Sequence, residues 1–410
     1  MSMFLQNTRE IYSRSPELIT MKFTRRMAIQ MAGSSALIPA AAETLSAAQV
    51  PQAPKESDRT PKIALGMGDG FAAGATDPAE GPRRIKQLGV NHVLSGGGAA
   101  PWTEESLKKS MAPWKAMGIQ VSNLMINLSP DIIYGKAGTK RDEDIEKVKQ
   151  SIVAAGKVGL PVVEYNFYAH RAMEGYFEEI DKERGDSGWT GFDYDLVQTA
   201  AQQYQTRPEE KGMKFRDLPA LPNEGAHNLD EMWANAAYFL KAVIPTAEKA
   251  NVRLALHPND PPAPVSRKSQ QIMGTVAGWK KLISLVNSPA NGITFDCGVT
   301  REMGEDPVAV CRYFGSRDRI NHVHFRNVLV QKPYERYTEV WLDEGLNNMF
   351  AVMKELVKNK YSRLIYPEHQ RRLSYDTEHM KLSGYPGGGG YAAIAFNVGY
   401  ARAMLQAALS

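Results

Sequence analysis

Two histidines and two carboxylates stand at the ends of short apolar runs that are predicted to be four separate β-strands. They are His257, Asp296, His324 and Glu368. Imidazole nitrogens combined with carboxylate oxygens favour Mn²⁺, Fe²⁺, Co²⁺, Zn²⁺ or Mg²⁺ over soft copper. A single histidine or aspartate at a strand end is more often a hydrogen-bonded structural residue than a ligand. Because parallel strand ends can converge on one axis, the four together make a metal site the leading hypothesis.

The sequence around His257 shows how local residues fix such a position. Apolar residues alternate over 252–256, which is typical of one buried strand face. Pro258 and the pair Pro261 and Pro262 follow, and proline cannot continue a central strand. His257 is therefore expected at the carboxyl end of a strand, where α/β folds carry their chemistry.

Groups suited to proton transfer and anion binding accompany the predicted ligands. His369 follows Glu368 directly, at a rim where an imidazole could exchange protons with a substrate. Arg326 lies two residues past His324 and could bind a carboxylate through its forked guanidinium. His322 shares the strand side of His324 in simple alternation, so it is expected to support a ligand and to contribute to the substrate site.

A glycine-rich loop at 384–391 precedes the last predicted helix. Its four consecutive glycines permit close approach of the backbone to a ligand. No Lys-Ser or Lys-Thr pair follows the glycines, so a Walker-type phosphate loop is excluded. Tyr391 ends the loop, and either a proton-transfer role or simple anchoring of the helix fits that position.

Eight alternations of strand and helix predict a (β/α)₈ TIM barrel. An open doubly wound sheet is the competing fold, but no G-x-G-x-x-G motif opens a helix after the first strand. The predicted strands are 62–66, 90–95, 119–124, 160–167 and the runs that end at 257, 296, 324 and 368. The predicted helices include 103–117, 142–156, 229–250, 273–286, 307–314, 346–358 and 392–409.

One long segment interrupts this alternation after the fourth strand. Residues 170–227 are polar, rich in Tyr, Trp, Arg, Asp and Gly, and show no sustained periodicity. Loops of this length are usually lids, binding loops or disordered segments. Because the insertion leaves the predicted catalytic end of the fourth strand, a lid is favoured over a decorative insertion.

The first fifty residues differ in composition from the rest of the chain. Arg25 and Arg26 precede a weakly apolar stretch at 28–37 and a run of small residues, which together indicate a twin-arginine export signal. Residues 1–50 are therefore predicted to be a signal and linker, with the catalytic barrel at 55–410 and a periplasmic location. The alternative is a basic tail on a cytoplasmic protein.

Composition excludes several other classes of protein. The chain has 410 residues, a formal net charge of +4 and 43% apolar residues, as in globular domains. No Lys/Arg-rich run with interleaved aromatics indicates a nucleic-acid partner. No run approaches the roughly 20 apolar residues that a membrane span needs, so no membrane association is expected after signal removal. Two cysteines, Cys297 and Cys311, do not make a disulfide framework.

Several motifs together resemble the mannonate dehydratase family of the xylose-isomerase-like barrels. They are His-Pro-Asn-Asp-Pro-Pro at 257–262, His-Val-His-Phe-Arg-Asn-Val at 322–328, Pro-Glu-His at 367–369, Tyr-Asn-Phe at 165–167, Phe-Leu-Lys-Ala-Val-Ile-Pro at 239–245 and the glycine loop before Tyr391. The resemblance extends from about residue 62 to the C-terminus. It implies a metal-dependent barrel enzyme that uses Mn²⁺ or Fe²⁺ to dehydrate D-mannonate, a sugar acid, to 2-dehydro-3-deoxy-D-gluconate.

The resemblance also implies roles for individual residues. It places metal ligands at His257 and His324, and the family's Asp-His pair at Glu368 and His369. The family's cysteine ligand falls on Asp296, with Cys297 one residue later. It places the catalytic tyrosine at Tyr391. Independently of the resemblance, Arg326 is expected to bind the substrate carboxylate and to be a third catalytic group. The other expected substrate-binding residues are Asn166, Asp260 and His322.

Two features depart from the resemblance and keep other functions open. Asp296 and Glu368 match the carboxylates that sugar isomerases and epimerases of the same superfamily use, and an export signal is unusual for hexuronate breakdown. One alternative is therefore an isomerase or epimerase that acts on a neutral sugar. Another is a periplasmic sugar-binding protein without catalysis. The sequence leaves the assembly state open, including a homo-oligomer.

Overall fold

Eight parallel strands close into a barrel in the computed structural model of the chain, as the sequence predicts. The structure describes residues 54–70, 77–135, 138–168, 170–197, 207–222 and 224–410. The barrel strands are β1 (Lys62–Gly66), β2 (His92–Ala99), β3 (Gln120–Asn127), β4 (Val162–Tyr165), β7 (Arg253–Leu256), β10 (Asn291–Asp296), β11 (Ile320–His324) and β14 (Leu364–Tyr366). They follow one another around the barrel in chain order, and β14 closes it against β1.

The strand register brings the predicted ligands to the same end of the barrel. Asp296 on β10 pairs with His324 on β11, and His324 pairs in turn with Tyr366 on β14. His257 and Glu368 lie one and two residues beyond their strands, because Pro258 and Pro367 stop β7 and β14 earlier than the sequence patterns alone predict.

Helices alternate with the barrel strands along the chain. In the described part of the chain they are α1 (Glu80–Gln87), α2 (Glu104–Ala116), α3 (Pro130–Ile133), α4 (Thr139–Lys157), α5 (Leu229–Ala250), α6 (Val276–Leu285), α7 (Cys297–Glu302), α8 (Pro307–Gly315), α9 (Met349–Lys358), α10 (Ser374–His379) and α11 (Tyr391–Leu409). Short 3₁₀ helices occupy Met173–Gly175, Pro208–Glu210 and Phe215–Asp217.

Helix α5 shows why some boundaries are predictable from sequence. Asn228 accepts a hydrogen bond from the backbone N–H of Glu231, and the Glu231 side chain accepts from the Asn228 N–H. At the other end, Asn251 adopts φ 54°, a left-handed conformation that asparagine tolerates better than most residues. Both signals are local, and the predicted range 229–250 agrees with the structure.

The insertion after β4 contains strands that the sequence analysis did not predict. Strands β5 (Tyr176–Asp181) and β6 (Ser187–Asp193) form a hairpin within the insertion. A second, shorter hairpin follows β7 and consists of the two-residue strands β8 (Val265–Ser266) and β9 (Ser269–Gln270). Strand β6 pairs with β13 (Arg336–Val340), which pairs with β12 (Asn327–Lys332), so the four longer strands make one antiparallel sheet. The sequence of 170–227, which shows no sustained periodicity, gave no sign of these strands, because the strands that complete the sheet lie far away in sequence.

A small aromatic core holds this sheet together. Tyr176, Phe192 and Tyr337 are fully buried, with the rings of Phe192 and Tyr337 stacked at a centroid distance of 5.0 Å.

Buried ion pairs connect the insertion to Arg267. The guanidinium of Arg267 lies 2.8 Å from both Glu174 and Glu210. These contacts attach the insertion to the loop after β7.

The predicted export signal lies outside the described residues. Residues from Ala53 to Ser410 form one compact unit, which contains the barrel and the added sheet. Within the described ranges, no helix combines the length and apolarity that crossing a bilayer requires.

Replacing Phe192 by alanine tests the insertion core. Phe192 is fully buried between Tyr176 and Tyr337, so Phe192→Ala should lower the free energy of unfolding by about 3–5 kcal/mol. Ile180→Ala is the matched control because Ile180 lies on the same sheet with 38% exposure, and its change should stay within about 0.5 kcal/mol. Urea titration followed by tryptophan fluorescence measures both, and equal shifts would contradict the assignment of this core.

Candidate active site and metal centre

The predicted metal ligands converge on one nitrogen atom. His324 Nδ1 lies 3.3 Å from His257 Nε2, 2.7 Å from Glu368 Oε1 and 3.7 Å from Asp296 Oδ2. These side chains come from the ends of four barrel strands and are at most 9% exposed. The structure therefore brings together all four residues that the sequence singled out.

Hydrogen bonding prepares His257 to offer a lone pair to this cluster. Its Nδ1 lies 2.7 Å from the carbonyl oxygen of Pro258, which can only accept, so Nδ1 carries the proton. Burial, together with the neighbouring His324, lowers the pKa of His257 to about 3. The ring is therefore neutral, and the unprotonated Nε2 faces His324 as a metal ligand requires.

The contact between Glu368 and His324 also fits a shared cation. The closest atoms, His324 Nδ1 and Glu368 Oε1, are 2.7 Å apart, yet Glu368 Oε1 accepts no hydrogen bond. Burial alone would lower the pKa of His324, but Glu368, Glu164 and Asp296 raise it to about 9 because they attract positive charge to this point. A bound divalent ion would displace the His324 proton. Among the described residues, Asp296, His324 and Glu368 form one group whose ligand atoms lie within 4.8 Å of one another, and Glu164, His257 and His324 form another. This donor set of nitrogens and hard oxygens suits a divalent ion.

Arg326 does not occupy the position predicted for it. It is 2% exposed, and its nitrogens lie 3.0 Å from Asp296, 2.7 Å from Glu302 and 3.3 Å from both Asp260 and Glu339. Arg326 also does not line the cavity at the ligand cluster, so it is not placed to bind the carboxylate of a substrate. The prediction of Arg326 as a substrate-binding and catalytic group is therefore corrected, and its role is to neutralise buried carboxylates.

His369 lies at the cavity with its ring held from behind. Its Nδ1 lies 2.8 Å from Glu339 Oε2, and its Nε2 lies 3.6 Å from Glu368 Oε2. Burial would lower the pKa of His369, but the two carboxylates raise it above the usual value. The backbone of His369 has φ 51°, an uncommon conformation for a residue other than glycine, and its carbonyl accepts a hydrogen bond from Arg371. The surrounding contacts therefore fix the ring with Nε2 directed to the site.

Tyr391 is not part of the site. Its hydroxyl donates to the carbonyl oxygen of Arg84 at 2.6 Å, and it does not line the cavity at the ligand cluster. It begins α11, so its role is to anchor that helix. The same glycine-rich loop supplies Tyr385, which lines the cavity and packs its ring 4.9 Å from that of His369. The structure thus places Tyr385, rather than the predicted Tyr391, at the cavity, because a glycine-rich loop has no periodicity from which to infer side-chain direction.

The remaining predicted substrate-binding residues divide into two groups. Asn166 and Asp260 line the cavity. His322 does not, since it is fully buried beneath His324 with ring centroids 4.9 Å apart and neither ring nitrogen hydrogen-bonded. The prediction of substrate contact is therefore wrong for His322, and its contact with His324 is one of packing.

The cavity has a volume of about 280 Å³, at the low end for small-molecule sites. Its walls come from the carboxyl ends of the barrel strands together with Tyr168, Arg171 and Tyr385. A larger cavity of about 580 Å³ opens near the first residues of β1, β2 and β3. That end of a barrel serves stability rather than chemistry, and none of the predicted ligands lines it.

Comparison with known proteins identifies the family. A family model described as D-mannonate dehydratase (UxuA) matches residues 74–409. The chain belongs to this family. A mannonate dehydratase of Streptococcus equi subsp. zooepidemicus is 31% identical over 290 residues, which cover 69% of this chain and 78% of that protein. One of Streptococcus suis is 30% identical over 299 residues, with the same coverage.

Solved structures agree with the family assignment. The crystal structure of mannonate dehydratase from Streptococcus suis serotype 2 superimposes with a TM-score of 0.67 and 26% identity, over 85% of this chain and 94% of that chain. A xylose isomerase-like TIM barrel protein from Mycobacterium smegmatis, solved with magnesium, gives a TM-score of 0.53 at 13% identity, over 87% of this chain and 100% of that chain. This second likeness concerns the fold alone.

The resemblance to mannonate dehydratases places a cysteine ligand at the position that Asp296 occupies in this chain. The neighbouring Cys297 does not take over that role. Cys297 is fully buried, does not line the cavity and belongs to none of the potential ligand groups among the described residues. Asp296 faces the cluster instead, while its Oδ1 accepts a hydrogen bond from the backbone of Val299 and caps α7. At Gly298, a Cβ atom would lie 2.5 Å from Arg326 Nη1, so close approach of the arginine requires glycine here.

Glu164 is a site residue that the sequence analysis missed. It is 2% exposed on β4, lines the cavity, and has Oε1 3.7 Å from His324 Nε2. Thr294 and Asn123 donate hydrogen bonds to its two oxygens at 2.6 and 2.8 Å. Its place inside the apolar run Val-Val-Glu-Tyr was the available signal, since a buried glutamate in a central strand needs partners.

Substitution of Glu164 tests its connection to the metal centre. Removing a carboxylate beside a ligating histidine typically weakens metal binding about 10- to 100-fold, so Glu164→Gln should raise the Kd for Mn²⁺ by that factor. Glu355→Gln is the matched control because Glu355 is also buried but pairs with Arg312 on the outer helices. Chelator competition measures both constants, and an unchanged Kd in Glu164→Gln would contradict this role.

Proposed function

We propose that the protein is a metal-dependent hydro-lyase that converts D-mannonate to 2-dehydro-3-deoxy-D-gluconate and water. The observation that carries this proposal is the convergence of His257, Asp296, His324 and Glu368 beside a small cavity. Membership of the mannonate dehydratase family supports the reaction, and its relatives bear that name.

The proposed cofactor is Mn²⁺ or Fe²⁺, held by His257, Asp296, His324 and Glu368. Mg²⁺, Co²⁺ and Zn²⁺ remain compatible with the donor set. When bound, such an ion would polarise the substrate carboxylate and the neighbouring hydroxyl, and so make the C2 proton more acidic.

His369 is positioned to take the C2 proton at Nε2. The Glu339 carboxylate accepts a hydrogen bond from Nδ1–H, which leaves the lone pair on Nε2 and stabilises the imidazolium formed when the proton arrives. The raised pKa of His369 makes it a better proton acceptor, but only above that pKa is the ring unprotonated. Activity should therefore rise with pH through the pKa of His369.

Tyr385 is positioned to donate the second proton. Burial raises the pKa of its hydroxyl to about 12, so the group is protonated at neutral pH. Donation to the C3 hydroxyl lets it leave as water while the C2–H electron pair forms the C2–C3 double bond. The resulting enol becomes the 2-keto product as C3 takes up the proton held by His369 and the C2 hydroxyl returns a proton to Tyr385. Both residues are thereby restored, and atoms and charge balance without an oxidant or reductant.

Assay of metal-loaded protein tests the function directly. Incubation with D-mannonate and Mn²⁺ should form a 2-keto-3-deoxy acid, measured by its reaction with thiobarbituric acid, and EDTA should abolish turnover. A neutral ketose that exchanges a proton with deuterated solvent without loss of water would indicate an epimerase or isomerase instead. Absence of dehydration with D-mannonate and related aldonates would overturn the proposal.

Substitution of His369 separates an enzyme from a sugar-binding protein. The variant His369→Gln should retain metal and substrate affinity while kcat falls at least about 100-fold, because the proton acceptor is lost. A protein that only binds sugar would show no turnover even before His369 is substituted.

We further propose that the chain is exported through the twin-arginine route to the periplasm. The support is the sequence alone: Arg25-Arg26, the weakly apolar stretch after it and the small residues that follow. Such export carries folded proteins, which agrees with a metal site assembled before transport.

Cell fractionation tests the export proposal. Changing both arginines to lysine should leave the full-length chain in the cytoplasm, because the transport receptor reads the arginine pair. Arg59→Lys is the control and should be exported like the unaltered chain. An unaltered chain found only in the cytoplasm, or one whose export is indifferent to the paired change, would contradict this location.

A further inference from the structure

The charges of the cavity are unevenly distributed. Its described lining includes the carboxylates of Glu164, Asp260 and Glu368, and Arg171 is the single lysine or arginine among those residues. A sugar acid brings a further negative charge into this space. Besides the proposed metal ion, a cation of the protein that is open to the cavity would offset this charge beside the buried carboxylates.

Arg326 cannot serve as that cation, whereas Arg171 can. Arg326 is 2% exposed and does not line the cavity. The Arg171 side chain is 25% exposed and does line it. The accessible arginine therefore comes from the insertion after β4 rather than from a barrel strand.

Asp260 holds the guanidinium of Arg171 in a fixed plane. Arg171 donates from Nε to the carbonyl oxygen of Asp260 at 2.6 Å and from Nη2 to its carboxylate at 3.0 Å. Asp260 is itself fixed by the hydroxyl of Tyr176 at 2.8 Å and by Arg326 at 3.3 Å. The Arg171 guanidinium also lies 5.6 Å from the ring centre of Tyr385. A guanidinium has five N–H donors, so these contacts leave donors for a ligand.

We infer that Arg171 binds the carboxylate of the substrate and makes the site selective for sugar acids over neutral sugars. This inference rests on the proposed function and specifies how that site recognises its substrate. The forked guanidinium matches a carboxylate in a way that a hydroxymethyl group or carbonyl of a neutral sugar does not. The insertion thus supplies the acid-binding group, while the barrel supplies the metal centre.

Kinetics of Arg171 variants test this assignment. With D-mannonate and Mn²⁺, Arg171→Met should raise KM about 10- to 100-fold with kcat within about threefold, since a charged hydrogen bond to bound substrate is lost. Arg171→Lys should recover part of the loss, because lysine restores charge without the fork. The Kd for Mn²⁺ should be unchanged in both variants.

Arg336→Met is the matched control. Arg336 lies on the added sheet, is 33% exposed and pairs with Glu179 and Asp193, but it does not line the cavity. Its KM and kcat should equal those of the unaltered protein.

Specific outcomes would overturn the inference. An unchanged KM in Arg171→Met, or a loss confined to kcat, would exclude carboxylate binding by this residue. A rise in KM accompanied by an equal rise in the Kd for Mn²⁺ would show a structural role instead. Failure of the unaltered protein to dehydrate any sugar acid overturns the proposed function itself, whereas normal activity with an indifferent Arg171→Met overturns only the inference.

Discussion

The buried guanidinium of Arg326 is the interaction on which the site depends. It lies within 4 Å of five carboxylates, those of Asp260, Asp296, Glu302, Glu339 and Glu368. Burying so many carboxylates without a cation would raise their pKa values and leave several of them neutral. Arg326 opposes this effect and lets Asp296 and Glu368 face His324 as potential ligands. Arg326 does not line the cavity, so the arginine that is open to a substrate acid is Arg171.

The added sheet is joined to the barrel through the same charges. Glu339 on β13 lies 2.8 Å from His369, 3.3 Å from Arg326 and 3.1 Å from Arg371. From the insertion itself, Tyr176 and Arg171 both bond to Asp260. The added sheet therefore holds His369 through Glu339, and the insertion places Arg171 at the cavity, which is more than a cover over the barrel mouth requires.

Much of the barrel and of the ligand cluster could be predicted from local patterns. Alternating apolar residues mark β7, proline stops it, and His257 follows. Strand β11 ends at His324, as predicted. The missed features share a physical cause. Strands β5 and β6 are stabilised by β13, more than 140 residues away in sequence, so their own residues show no clear pattern. Glu164 was hidden inside an apolar run because its partners Asn123 and Thr294 come from other strands.

The sequence by itself determined that this is a (β/α)₈ barrel and which four strand ends carry potential metal ligands, since apolar alternation, proline stops and helix caps act over a few residues. Only the tertiary structure decided which charged groups face the cavity. It enclosed Arg326 in carboxylates, turned Tyr391 towards Arg84, buried His322 beneath His324, and placed Arg171 and Tyr385 at the site. Whether a side chain is open to the cavity depends on residues that come together from distant parts of the chain. The spacing of residues along one segment carries no information about those distant neighbours.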